Sequence, residues 1–188
     1  ALGWRKTAKN IFRFTLSSIS GAVPITLVTS QGGGVVNWGD GTTTTLTSGT
    51  NSLSHTYTGY SSAVVTVSEA QRITQIIYGS TTASLGCTTF ALPRALTSLT
   101  LGGYNTLSGN VSWLPSGLTY LNVYGSNTLS GNVSGLPSGL TYLNVFGSNT
   151  LSGNVSGLPS GMTYLNVQGY NTLSTYTSRS WPTSMRRV

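Results

Sequence analysis

Charge is what this chain has least of. Only 6% of its 188 residues are Asp, Glu, Lys or Arg. The acids are Asp40 and Glu69, and the one imidazole is His55. A glycosidase needs two carboxylates facing each other across its substrate. These two have separate structural settings: Asp40 lies in the turn Gly39-Asp-Gly41, and Glu69 follows a β run close to Arg72. A metal centre needs three or four converging N, O or S ligands, and no such cluster is written here. No metal and no cofactor is therefore expected. Gly32-Gly-Gly34 opens no helix and reads as a loop rather than a phosphate cradle. The expectation is a protein that is not an enzyme and has no catalytic residues.

Other shortages narrow the class further. A single cysteine, Cys87, excludes an intrachain disulfide and a thiolate cluster, and reads as a small buried hydrophobe. No apolar run approaches the ~20 residues of a membrane span. Arg13 interrupts Ile11-Phe12-Arg13-Phe14, so no signal-peptide core follows the basic start, and Ala1 reads as a chain that has lost its Met. The formal net charge of +7 is concentrated at the ends. Arg5, Lys6, Lys9 and Arg13 fall in the first 13 residues, and Arg179, Arg186 and Arg187 in the last ten. Between them stand only Arg72 and Arg94 against Asp40 and Glu69. A nucleic-acid groove needs a basic face spread over the fold, so no specific nucleic-acid partner is expected. The basic ends are expected either to be solvated or to dock on an acidic partner or a neighbouring subunit.

What fills the gap is Ser, Thr, Gly and Asn, with 10 Tyr and 4 Trp and abundant Val, Ile and Thr. That is β-forming composition, with hydroxyls and amides where most proteins place charges. The chain then declares a period. Leu118-Thr-Tyr-Leu-Asn-Val-Tyr-Gly-Ser-Asn-Thr-Leu-Ser-Gly-Asn-Val-Ser-Gly-Leu-Pro-Ser-Gly139 recurs from Leu140 with one change, Tyr124 becoming Phe146. Looser copies start at Leu96 and Met162. Ile73–Ser80 has the outline of Leu118–Ser126 shortened by one residue, which makes 73–95 a degenerate first copy. Leu158-Pro-Ser-Gly-Met-Thr-Tyr-Leu165 aligns with Trp181-Pro-Thr-Ser-Met-Arg-Arg-Val188, an unfinished last one. A fixed period in this range predicts stacked units, none able to bury its apolar side alone. Within each, Leu118, Leu121 and Val123 point inward, joined by Leu129, Val133 and Leu136. Asn127, recurring as Asn105, Asn149 and Asn171, is expected at a corner, bonding the backbone of adjacent turns.

Residues 14–70 carry six short β runs, at 14–19, 25–29, 35–38, 43–46, 54–57 and 63–67, separated by Gly- and Ser-rich turns. Such spacing predicts a small sandwich. Here Val35-Val-Asn-Trp-Gly-Asp-Gly41, His55-Thr-Tyr57 and Val64-Val-Thr-Val67 resemble the PKD-like immunoglobulin-type domain, and in that family the Asp and His positions are structural. The pattern L-x-x-L-x-V…N-x-L-S-G-x-V…L-P resembles leucine-rich repeats, with one residue more between Val123 and Asn127 than the usual spacing. The expected fold is thus all-β. A basic arm over 1–13 precedes a PKD-like β-sandwich over 14–70. A parallel β-solenoid of leucine-rich-repeat type follows over 71–188, with period 22 and about five coils. Together the two resemblances imply a tailed-phage virion protein or a bacterial surface protein.

In each repeat the residues between the core positions should alternate outward. They form the columns Tyr120/Tyr142/Tyr164, Asn122/Asn144/Asn166 and Tyr124/Phe146/Gln168. An uncharged ladder of aromatic rings and amides suits sugar rings or another protein; equally, stacked aromatics serve simply to hold a parallel sheet together. The functional expectation is a non-catalytic structural or attachment protein of a phage particle, located on the virion. Its partners would be other virion proteins, itself, or a host-surface glycan or protein. The alternatives are a self-assembling filament subunit and a bacterial cell-surface adhesin. For assembly, the expected contacts are Arg5, Lys6, Lys9, Arg13, Trp181, Met185, Arg186, Arg187 and Val188. Thr119/Thr141/Thr163 and Thr106/Thr128/Thr150/Thr172 also read as ladders, which raises ice binding as a last reading, but they lack the flat outward T-x-T array such a surface needs.

Overall fold

The computed structural model describes residues 10–174. Over that span the chain is all-β, built from strands, tight turns and single-turn 3-10 segments, with no α-helix among the described residues. The first six strands are β1 (Phe12–Ser17), β2 (Ala22–Thr29), β3 (Val35–Asn37), β4 (Thr43–Thr45), β5 (Gly49–Thr56) and β6 (Ser62–Val67). All six expected runs are strands, with shifted ends. Alternation sets their faces: in β1, Phe12, Phe14 and Leu16 are buried while Arg13, Thr15 and Ser17 face water. Their pairings are antiparallel, β1 with β6, β6 with β3, β3 with β4, and β2 with β5.

From residue 73 parallel pairing begins: the next two strands are antiparallel to β2 and β1 on one side and both parallel to the strand that follows them on the other. The strands are β7 (Ile73–Ser80), β8 (Ser84–Thr88), β9 (Ser98–Asn110), β10 (Tyr120–Asn132), β11 (Tyr142–Asn154), β12 (Tyr164–Gly169) and β13 (Thr172–Ser174). The long strands β9, β10 and β11 each bend and pair twice, once before and once after the bend. Their first halves continue the row β5-β2-β7, which ends at β12. Their second halves continue β4-β3-β6-β1-β8, which ends at β13. Antiparallel and parallel parts therefore share two continuous faces over one apolar core, which runs from Phe12 to Met162.

The register explains the repeat. Before the bend, Leu121 faces Leu143 and Val123 faces Val145, a step of one period. After it, Ser130 faces Thr150 and Gly131 faces Leu151, two residues less. Identical side chains thus stack squarely on the first face and are sheared on the second. This overturns one expected ladder: Thr128, Thr150 and Thr172 face Ser108, Ser130 and Ser152 rather than one another. The Thr119/Thr141/Thr163 column does form. Its hydroxyls donate to the carbonyl of the previous Thr at 2.9–3.1 Å, so the row binds backbone. Tyr78 corrects the alignment of the first copy. It faces Leu101 in the core column, is 1% exposed, and donates its hydroxyl to the Ala83 carbonyl.

At the bend sits Gly125, with φ +131; a Cβ there would come within 2.5 Å of the Asn105 carbonyl oxygen. That close approach requires glycine, and Gly147 and Gly169 repeat it. Asn127 follows, fully buried. Its Oδ1 accepts from the Leu107 amide at 2.8 Å and its Nδ2 donates to the Phe146 carbonyl at 2.8 Å, so this Asn ties the turns on both sides. Asn149 does the same with Leu129 and Gln168. A bulge lies between Val123 and Asn127.

Candidate functional site: an uncharged wall of stacked rings

The nine outward residues of the repeat strands lie together on the outer side of the first face. Square register makes this possible: Tyr120, Tyr142 and Tyr164 are direct neighbours, as are Asn122, Asn144 and Asn166. Tyr120 and Tyr142 stack with centroids 4.4 Å apart at 13°, Tyr142 and Tyr164 at 4.4 Å and 8°. Tyr124 and Phe146 stack at 4.7 Å and 18°. Strand spacing of ~4.8 Å leaves no room between rings, and each such pair contributes about 0.5–1.5 kcal/mol beyond burial. Between the two ring rows runs the Asn row. Asn144 donates to Asn122 Oδ1 at 2.9 Å and to the Tyr124 hydroxyl at 2.8 Å, and is itself 1% exposed. Its Oδ1 is the one buried side-chain polar atom without a partner among the described residues. Burial first, then the neighbouring Tyr120 and Tyr164, raises the Tyr142 phenol above its ordinary range.

This packing decides what the wall offers. A sugar ring stacks on an exposed aromatic face. Here Tyr142 is covered on both faces, and Tyr120, Tyr164, Tyr124 and Phe146 each have one face against a neighbouring ring. The Tyr124 hydroxyl is held by the buried Asn144, and the three columns carry no charge. The same rows continue over Ser98 and Gln75, and over Thr100 and Ile77, onto the antiparallel part. Of the expected assembly residues, Arg13 is exposed on β1. Arg5, Lys6, Lys9, Trp181, Met185, Arg186, Arg187 and Val188 lie outside the described residues.

The other polar constellation, Asp40 and His55, is drawn together from the turn after β3 and from β5. Asp40 Oδ2 lies 2.7 Å from His55 Nε2, and Asp40 Oδ1 accepts from the hydroxyl of Thr42 at 2.6 Å. The Thr42 hydroxyl above all, with help from His55 and against the cost of burial, lowers the Asp40 carboxyl to about 2. The imidazole stacks on Trp38 at 4.5 Å and 7° and meets the edge of Tyr57. Tyr57 donates to the Trp38 carbonyl at 2.8 Å, and burial, with the Asp40 charge, pushes its phenol up to about 12. Every member is held by another member, so the set clamps the β3–β4 turn onto β5. Cys87 is only half-buried as a residue, yet burial pushes its thiol up to about 12.

Sequence reasoning overlooked one surface feature. Phe90 and Trp113 are 67% and 54% exposed and meet edge to face, centroids 6.0 Å apart at 75°. The available signal was a break in the period, since the Trp113 position is Gly135 and Gly157 in the next copies. No three His, Cys, Asp or Glu side chains converge on one ion site among the described residues. Nor is any helix there long and apolar enough to cross a membrane. Comparison with family models, with curated proteins and with solved structures returned no match.

Proposed function

We propose that this chain is a non-catalytic structural or attachment protein of a phage particle, with its ringed wall as a protein-contact surface. The observation that carries the reading is the wall itself: three aligned columns of uncharged side chains, rings stacked at 4.4–4.7 Å, on a continuous seven-strand face. A preorganised surface costs little side-chain entropy on binding, and Tyr and Phe are among the residues that interfaces favour. The resemblance to a PKD-like domain followed by leucine-rich repeats supports the virion setting, with the bacterial cell surface as the alternative. Antibody labelling of purified particles in the electron microscope tests it; particles free of the protein would remove the reading.

Self-association is favoured by a second observation. Leu165 and Val167 of β12 are only half-buried, whereas Leu121 and Val123, their counterparts in β10, are fully buried. Among the described residues β12 pairs only with β11, and a strand edge of this kind recruits another strand. Sedimentation of the chain with and without residues 181–188 checks this: a change of assembly state is expected, and a monomer in both cases defeats it.

A further inference from the structure

The second face carries a hollow that neither the repeat nor the wall accounts for. It is open, about 390 Å3, and lies where β1, β8 and the second half of β9 run side by side. Its polar lining is Arg13, Thr15, Thr88, Thr106 and Ser108. Thr15 faces Gly86, which in turn faces Thr106, and Thr88 faces Ser108. Gly86 is the floor: a Cβ there would lie 2.8 Å from the Thr15 hydroxyl and 3.0 Å from that of Thr106, so both hydroxyls lean over it from opposite sides. Thr15 donates to the Gly86 carbonyl. The hydroxyls of Thr88, Thr106 and Ser108 have no hydrogen-bond partner among the described residues. Neither does the Arg13 guanidinium, whereas Arg72 is engaged by Glu69 and the Gly32 carbonyl.

Beside the hollow stands the exposed aromatic pair. Ala91, which lines it, follows Phe90 directly. Unlike the wall rings, Phe90 and Trp113 meet edge to face and are more than half exposed, so ring faces are open. Arg13 and Trp113 are both single occurrences rather than repeated features, and the strands bring them to the same end of the repeat stack. An unpaired guanidinium takes a carboxylate in a two-pronged hydrogen bond. Free hydroxyls take sugar hydroxyls, and an open indole face takes the apolar side of a pyranose.

We infer that this hollow binds an acidic saccharide of the uronate class, with Arg13 on the carboxylate, the Thr and Ser hydroxyls on the ring hydroxyls, and Phe90–Trp113 under an adjoining sugar. The inference does not depend on the virion assignment. It places any glycan contact on the face opposite the stacked tyrosines.

Calorimetric titration of the full chain tests it with trigalacturonate, its methyl ester and a tetraglutamate peptide. The acid should bind at least about tenfold more tightly than the ester, as a charge-assisted pair requires. Arg13→Gln, a change on an exposed strand position, should bring the acid down to the ester's level with an unchanged melting temperature. Trp113→Ala should weaken acid and ester together, and Arg94→Gln should alter neither. Equal binding of acid and ester, full binding by Arg13→Gln, tetraglutamate binding as tightly as the saccharide, or no binding at millimolar concentration would each overturn it.

Discussion

In residues 12–67 each side-chain hydrogen bond differs from the next, whereas in residues 98–171 the same few recur every turn. The antiparallel part is held by one-off arrangements, such as Trp38–His55–Asp40–Thr42 and Asn51 binding the Thr47 amide together with the Leu27, Thr47 and Gly49 carbonyls. The repeat part is held by columns: Asn127 and Asn149 at the corner, Thr119 and Thr141 on the backbone, and stacked tyrosines outside. The difference is one of redundancy. Removing a unique clamp should loosen its whole neighbourhood, while removing one rung should be shared with the rungs beside it.

The largest effect expected is therefore in the antiparallel part. Trp38 is 1% exposed, donates to the Thr44 hydroxyl at 2.9 Å and supports His55 by stacking. Trp38→Ala should cost about 3–5 kcal/mol of unfolding free energy, read from the denaturant midpoint. A loss under about 1 kcal/mol would mean the clamp is dispensable and the contrast is wrong.

Next comes the corner. Asn127→Ala strands the Leu107 amide and the Phe146 carbonyl, at about 1–3 kcal/mol for each buried group left unpaired. Asn171→Ala should cost less. Its residue is only half-buried, and of its two bonds, to the Leu151 amide at 2.8 Å and the Val167 carbonyl at 3.4 Å, the second is long and stays within its own turn. Equal losses at the two positions would deny that adjacent turns share the load.

Much of this contrast could be read from the chain beforehand. Repetition exposed the core columns and the corner Asn, because a period of 22 leaves only one way to stack Leu121 on Leu143. The alternation in Phe12-Arg-Phe-Thr-Leu16 carries the buried face of β1, although the expected first run began at residue 14 and left Phe12 and Arg13 in the basic arm. Three things stayed hidden. The two-residue shear after the bend depends on backbone geometry at Gly125, which identical sequences do not reveal. Stacked aromatics were one of two expected roles for the wall rings, but how closely they stack depends on how squarely the strands align, and that covers ring faces a sugar would otherwise use. The hollow around Arg13 joins β1 to β9, residues some ninety apart in sequence, and no local pattern records that meeting.

Acid separates the two parts by a third route. The Asp40 carboxyl, held near 2 by the Thr42 hydroxyl first and by His55, lies below its ordinary unfolded value of about 3.9. A depressed folded pKa contributes stability that is present above the unfolded value and is lost as pH falls through the folded one. The antiparallel part should thus weaken between about pH 4 and pH 2. The described repeat strands carry no carboxylate and should not respond. Amide exchange measured separately for β5 and β10 over that range checks the difference, and Asp40→Asn should flatten the β5 response. A parallel response in β10 would refute it.

The smallest stability effect should come from the wall, and there the two roles of a ring can be told apart. Phe146 stacks on Tyr124 at 4.7 Å, but its column already holds Gly102 and Gln168 in other turns, so the sheet accepts replacements there. Phe146→Gln should cost about 0.5–1.5 kcal/mol, the worth of one aromatic pair. If the wall is a contact surface, the same change should weaken retention on particles far more than it lowers the melting temperature, because an aromatic ring at an interface centre carries a disproportionate share of binding. A stability loss above about 2 kcal/mol with retention unchanged would make the rings supports for the sheet, and the contact surface would then have to be sought on the opposite face.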